Sequence, residues 1–143
     1  MKIKFKSIVA VAVVTIFSAQ AAYALSLKLR KEQKKAQEKI EKSVANINKS
    51  CGCAPKLDIN WESFETTDDM RISWNMVDHV SGGMGRVCKE FKKEVCAGIK
   101  TVKIGKTPKD GMTLKEGTLD IGISAGNHSF GDQAIQKLIE NNL

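Results

Sequence analysis

Four cysteines carry the strongest chemical signal in the chain: Cys51 and Cys53, one residue apart, then Cys88 and Cys96. Thiols in this number can close disulfides, hold zinc or exchange electrons. Four-thiolate zinc sites favour C-x2-4-C pairs, and C-x-C with C-x7-C departs from that spacing. A redox-active Cys51-Gly52-Cys53 lacks the C-x-x-C at a helix start that lowers a thiol pKa, and two further cysteines stand ready as partners. Two structural disulfides are therefore expected. A Cys51–Cys53 bond would close a very tight loop, so the preferred pairing joins Cys51 and Cys53 each to Cys88 or Cys96. Either version staples the end of a first helix and a first strand to the end of a long helix, at about 3–4 kcal/mol per loop in the chain-entropy view.

The remaining chemistry-bearing residues do not assemble into a catalytic set. Gly122-Ile123-Ser124-Ala125-Gly126 matches the G-x-S-x-G pattern of a nucleophile elbow. However, only nineteen residues follow Ser124, and His128 is four positions away, too near in the chain to be placed easily as its base. Gly105-Lys106-Thr107 has the ending of a phosphate-binding loop, but Lys100 stands where that loop needs a glycine. The chain has two histidines, His79 and His128, and nothing in the sequence places them together. His79 beside Asp78 reads as a surface histidine on a helix. No catalytic residue, metal ligand set or cofactor is predicted.

A different group of polar residues shares a geometric feature. In strands, alternate residues point to opposite faces. Asp58, Asn60, Lys103, Asp120 and Ser124 all alternate with apolar residues, so they should lie together on a solvent-facing side of a sheet. If their strands are neighbours, Asp58 and Asp120 could approach each other. This face is the first candidate binding surface.

The elements that must position these residues are legible from periodicity. Leu29, Ala36, Ile40, Val44 and Ile47 recur at helical spacing and predict a helix over Leu27–Asn48, ended by Ser50-Cys51-Gly52-Cys53-Ala54-Pro55. Leu57, Ile59 and Trp61 alternate with Asp58, Asn60 and Glu62 as a strand. Thr66-x-x-Asp69 has the form of a capping box. After it, Met70, Trp74, Val77, Ser81, Met84, Cys88 and Phe91 keep a helical stripe straight through Ser81-Gly82-Gly83-Met84-Gly85. The unbroken phase predicts a long helix, continuous or kinked there, whose Gly82–Gly85 face admits another backbone, with the N-terminal helix as the expected neighbour.

Beyond it, Ile99–Gly105, Met112–Leu114 and Leu119–Ile123 read as three strands. A turn over Thr107–Gly111 and a three-residue hairpin loop at Lys115-Glu116-Gly117 separate them. Ser129-x-x-Asp132 is expected to cap a closing helix with Ala134, Ile135, Leu138 and Ile139 inward. The element order is α-β-α-β-β-β-α. The predicted fold is α+β, a mostly antiparallel sheet of about four strands with helices packed on one face, held by disulfides.

Export is expected from the N-terminus. Lys2, Lys4 and Lys6 precede an apolar run, Ile8–Ala19, too short to span a bilayer, and Ala22-Tyr23-Ala24 has the small-x-small form that signal peptidase cuts after. Residues 1–24 then form a signal peptide, and residues 25–143 form one mature domain in the periplasm or outside the cell. The formal charge of +7 over 143 residues falls to +4 when the three leader lysines are removed. The excess is local: Leu25–Lys56 has nine basic and three acidic residues, whereas Leu57–Leu143 has eleven and thirteen.

Lys31, Lys34, Lys35, Lys39 and Lys42 on the first helix form a second candidate surface, one suited to anionic lipid or lipopolysaccharide. The favoured expectation is a non-enzymatic exported binding protein, of inhibitor or immunity type, with a protein partner in the cell envelope or outside the cell. Binding of the envelope surface through the basic helix, or hydrolysis by a small secreted enzyme, are the alternatives. No nucleic-acid partner is expected.

Overall fold

A computed structural model describes residues 26–124 and 130–143. The expected signal peptide and cleavage site lie outside the described residues, as do His128 and Ser129. Among the described residues there are three α-helices: α1 (Leu27–Cys51), α2 (Thr67–Gly98) and α3 (Asp132–Asn142). Four strands form one sheet: β1 (Lys56–Ile59), β2 (Thr101–Lys106), β3 (Gly111–Lys115) and β4 (Thr118–Ile123).

The helices form where the apolar stripes require them and end on local chemistry. Ser26 caps α1, its hydroxyl accepting the Leu29 N–H at 3.2 Å. Gly52 ends the helix three residues later than expected, at φ +75°, where its N–H donates to the Asn48 carbonyl. The capping box of α2 is as predicted: Thr66 Oγ1 accepts the Asp69 N–H, and Asp69 Oδ2 accepts the Thr66 N–H. The predicted strand Leu57–Glu62 is shorter, because the chain turns into a 3-10 turn at Trp61–Ser63 that leaves Trp61 half-buried. α3 starts at Asp132 with Gly131 at its N-cap position and no side-chain cap, so the expected Ser129 cap is not where the helix begins.

α2 runs through its glycines without interruption and breaks its helical geometry instead at Phe91 (φ −123°, ψ 44°). Both other helices pack on it, and all three run parallel. Lys39 meets Trp74, Ser43 meets Asp78 and Ser50 lies beside Gly85, so α1 and α2 advance together. Asp132 lies beside Gly82, Ile135 beside Gly83 and Leu143 beside Gly98, so α3 does the same. The close-approach face is thus shared: Gly85 faces α1 as expected, but Gly82 faces α3. α1 packs against α2 rather than on the sheet, while α2 contacts β2 and α3 contacts β3.

The α+β class holds, but the sheet is mixed and mostly parallel, with order β1-β2-β4-β3. β1 pairs parallel with β2, β2 parallel with β4, and only β3 is antiparallel, to β4. The expected meander fails at two connections. β1 reaches β2 through α2, and a helical crossover returns the chain in the same direction. The Thr107–Asp110 connection reverses the chain but passes over a strand position, and β4 then fills the gap.

Burial is the physical reason. Leu119, Ile121 and Ile123 of β4 are all buried, as central positions demand, whereas Met112 and Leu114 of β3 are only half-covered at the edge. The β3–β4 hairpin turns on two residues rather than three, Glu116 and Gly117, at φ +50° and +77°. Apolar rows Leu57–Val102–Leu119–Leu114 and Ile59–Ile104–Ile121–Met112 cross the inner face and join one core with α2 and α3.

The four cysteines form two disulfides, Cys51–Cys88 and Cys53–Cys96, and none is free. One ties the end of α1 to α2; the other ties the approach to β1 to the last turn of α2.

Candidate functional site

The outer side of the sheet is not covered by any described helix, and its register assembles the residues that alternation placed there. Asp58 on β1, Lys103 on β2, Asp120 on β4 and Thr113 on β3 stand in one row, side by side across the four strands, all exposed. The row alternates acid, base, acid at the strand spacing of about 4.8 Å. Asp58 and Asp120 are therefore not neighbours. β2 lies between them and puts the Lys103 ammonium where a direct carboxylate pair was considered, at roughly 10 Å between strand axes. Paired-carboxylate acid–base chemistry has no basis in that arrangement.

The next outward row is Gly105, Gly122 and Gly111 on β2, β4 and β3, continued past the end of β1 by Asn60, whose N–H donates to the Ile104 carbonyl. The Thr107 side chain lies against Gly122, and those of Asn60 and Ser63 against Gly105, so that this row and the charged row beside it form a shallow cleft of about 220 Å³. Asp58, Asn60, Lys103, Lys106, Thr107 and Asp120 supply its polar groups. Four of the sequence-selected residues, Asp58, Asn60, Lys103 and Asp120, thus come together. Ser124 lies past the end of β4, where its hydroxyl and N–H both donate to Asp110 Oδ1 at 2.7 and 2.6 Å. That bond ties the two ends of the β3–β4 unit.

Lys106, which enters the sequence reading only within the phosphate-loop echo, ties the end of β2 to the start of α2. Its ammonium is 3.1 Å from Asp69 Oδ2, and its N–H donates to Ser63 Oγ at 2.9 Å. Asp69 is buried. Burial pushes its pKa up, but the Lys106 ammonium, the backbone N–H groups of Glu65 and Thr66 and the Thr66 hydroxyl together pull it below the ordinary 3.8.

A depressed carboxylate contributes stability that is fully present above the unfolded-state value and is lost as pH falls through the folded-state value. We predict that Asp69→Asn costs about 1–3 kcal/mol at pH 7, through the lost cap and the unpaired lysine. Urea unfolding at stepped pH tests this. The gap between native and variant midpoints should close as pH drops below about 3.8, and a gap unchanged down to pH 2 would refute the assignment.

The basic surface is arranged differently from its sequence reading. Lys31, Lys34, Lys35, Lys39 and Lys42 are all exposed on α1. Two are engaged locally: Lys39 caps the Trp74 ring at 3.6 Å from its centroid, and Lys35 pairs with Glu32 at 2.8 Å. The Lys39 contact covers the half-buried Trp74, which explains how a tryptophan sits at the α1–α2 seam.

His79 lies half-exposed on α2, as a surface histidine would, but it has a specific partner. Its Nδ1 lies 2.7 Å from Asp132 Oδ1, and Arg86 Nη2 lies 3.3 Å from Asp132 Oδ2. His79 and Arg86 are seven residues apart, two turns on one helix face, so spacing puts them side by side, but their shared partner comes from α3. The cluster joins α2 to the start of α3. Among the described residues no group of three or more acidic, histidine or cysteine side chains is placed to hold a metal ion, and no helix is long and apolar enough to cross a membrane.

Fold and surface together define the class: a disulfide-linked α+β protein with an open, polar, mixed sheet face. In comparisons with protein-family models, curated proteins and solved structures, none matches this chain.

Proposed function

We propose that the protein is exported and acts by binding another protein through its open sheet face, in the manner of an inhibitor or immunity-type protein. The observation that carries this reading is the alternating, exposed Asp58–Lys103–Asp120 row beside a shallow polar cleft, on a sheet face left uncovered by α1, α2 and α3. Alternating charge gives register and selectivity to a protein contact, and Asn60 and Thr107 add hydrogen-bonding groups beside it. The two disulfides favour an oxidising compartment, in keeping with the leader-like N-terminus. N-terminal sequencing of the protein recovered from its host should begin at Leu25.

The test is capture from envelope and culture extract with oxidised protein, native and Lys103→Glu, at low and high salt. Lys103→Glu turns the row into three acids, and retention of the partner should fall at least about tenfold. Folding stability should fall by no more than about 1–2 kcal/mol, the cost of two exposed like-charge pairs across strands, so the variant remains folded. A partner retained equally by both proteins would displace the sheet face as the contact surface. Retention of lipid or of many acidic species, lost at high salt, would favour the α1 lysines instead.

A further inference from the structure

Among the described residues three large hydrophobic side chains are exposed: Leu27 at 72%, Phe91 at 48% and Leu143 at 47%. They do not form one patch. Phe91 and Leu143 line a single cleft of about 350 Å³ between the C-terminal parts of α2 and α3, with Val87, Glu94 and Glu140 completing it. Leu27 begins α1. Because the three helices run parallel, Leu27 lies at the opposite end of the helical layer from the cleft and cannot reach it within one molecule.

The two features match in shape and charge. Leu27 is a single apolar tip flanked by the exposed ammonium groups of Lys28 and, one turn on, Lys31. The cleft is an apolar slot with two carboxylates, Glu94 and Glu140, among its lining groups, and its volume exceeds that of a leucine side chain. The break in helical geometry at Phe91 falls at this slot, where the ring lies open to solvent rather than in the core.

We propose that the protein associates head to tail: Leu27 of one copy enters the Phe91–Leu143 cleft of the next, with Lys28 and Lys31 facing Glu94 and Glu140. The contact joins two different surfaces, so it is heterologous and builds a chain of copies rather than a closed two-fold pair. It is small, so the assembly is reversible on dilution. The ion pairs weaken with salt while the apolar contact persists. It uses neither Lys103 nor the sheet face, and stands or falls separately from the binding reading above.

Sedimentation velocity of the oxidised protein from about 10 μM to about 1 mM tests this. The native protein should show a concentration-dependent series beyond the dimer. Leu27→Glu and Phe91→Glu alter exposed positions, and each alone should remain monomeric, with association weakened at least tenfold. Their equimolar mixture should form a dimer and stop there, because one variant retains the cleft and the other retains the leucine.

A native protein that is monomeric throughout, a mixture that stays monomeric, or a Leu27→Glu protein that associates like the native would each overturn the proposal. Should Phe91→Glu fail to fold, the charge pair replaces it. Glu94→Lys/Glu140→Lys and Lys28→Glu/Lys31→Glu should each associate weakly alone, and the two changes combined in one chain should restore association.

Discussion

Removing both disulfides is expected to cost about 7–8 kcal/mol, most or all of the stability of a domain this size. The geometry sets how that loss divides. Taken alone, Cys51–Cys88 and Cys53–Cys96 close loops with sequence separations of 37 and 43, each worth about 4 kcal/mol in the chain-entropy model. The loops interleave, however. With one bond in place, the second closes a ring that passes through the first and contains only about ten residues, worth about 2.7 kcal/mol.

Cys53→Ala/Cys96→Ala should therefore cost about 3 kcal/mol, not 4. Cys51→Ala/Cys88→Ala should cost about 1 kcal/mol more, since both of its sulfurs are buried and leave a cavity, whereas the other pair is half-buried. Urea unfolding of the oxidised native protein, the two double variants and the quadruple variant measures all four terms. A Cys53→Ala/Cys96→Ala loss of about 4 kcal/mol, the value of that bond taken alone, would mean that the ring argument is wrong. A quadruple variant as stable as the native protein would mean that the bonds do not constrain the unfolded chain.

Gly83→Leu is expected to separate α3 from α2. A Cβ at Gly83 would lie 2.7 Å from Ile135 Cγ2 and 3.0 Å from the Asp132 carbonyl, and the latter is backbone that cannot rotate aside. Ile135 and Ile139 are the fully buried residues of α3 and depend on that approach. Even Gly83→Ala should cost about 1–3 kcal/mol through overpacking, outweighing the gain of about 1 kcal/mol for replacing a helical glycine.

Gly85→Ala, two residues away, should do the opposite. Its Cβ would make ordinary contact with Ser50 at 3.5 Å, so the propensity gain of about 1 kcal/mol survives. Opposite shifts in melting temperature for the two alanines are the expected result. Destabilisation by both would mean that α1 approaches α2 as tightly as α3 does.

The outcome at these glycines shows how far the sequence could be read. The unbroken stripe from Met70 to Cys88 correctly predicted that α2 continues through Ser81–Gly85, because helical phase is a local property of the chain. Which neighbour each glycine admits was not local, and Gly82 proved to face Asp132 of α3 rather than α1. The same limit applies to Phe91. It continued the apolar stripe by count, yet the helical geometry breaks at that residue and its ring is exposed. Likewise, alternation put Asp58, Asn60, Lys103 and Asp120 on one face, but whether two carboxylates met depended on which strand lay between them.

The sequence by itself determined the element types and order, the α2 capping box, the crossing of the disulfides between the C-x-C segment and α2, and which residues of each strand face outward. All of these follow from spacing over a few residues or from the scarcity of other partners. The tertiary structure decided strand order and direction, the Cys51–Cys88 and Cys53–Cys96 pairing, the Lys106–Asp69 and His79–Asp132–Arg86 contacts, and the separation of Leu27 from the Phe91–Leu143 cleft. Those depend on where the chain goes after each turn. A four-residue connection between β2 and β3 reverses direction equally well beside a strand or across one. The burial of Leu119, Ile121 and Ile123 selects between them, by requiring β4 in the middle of the sheet.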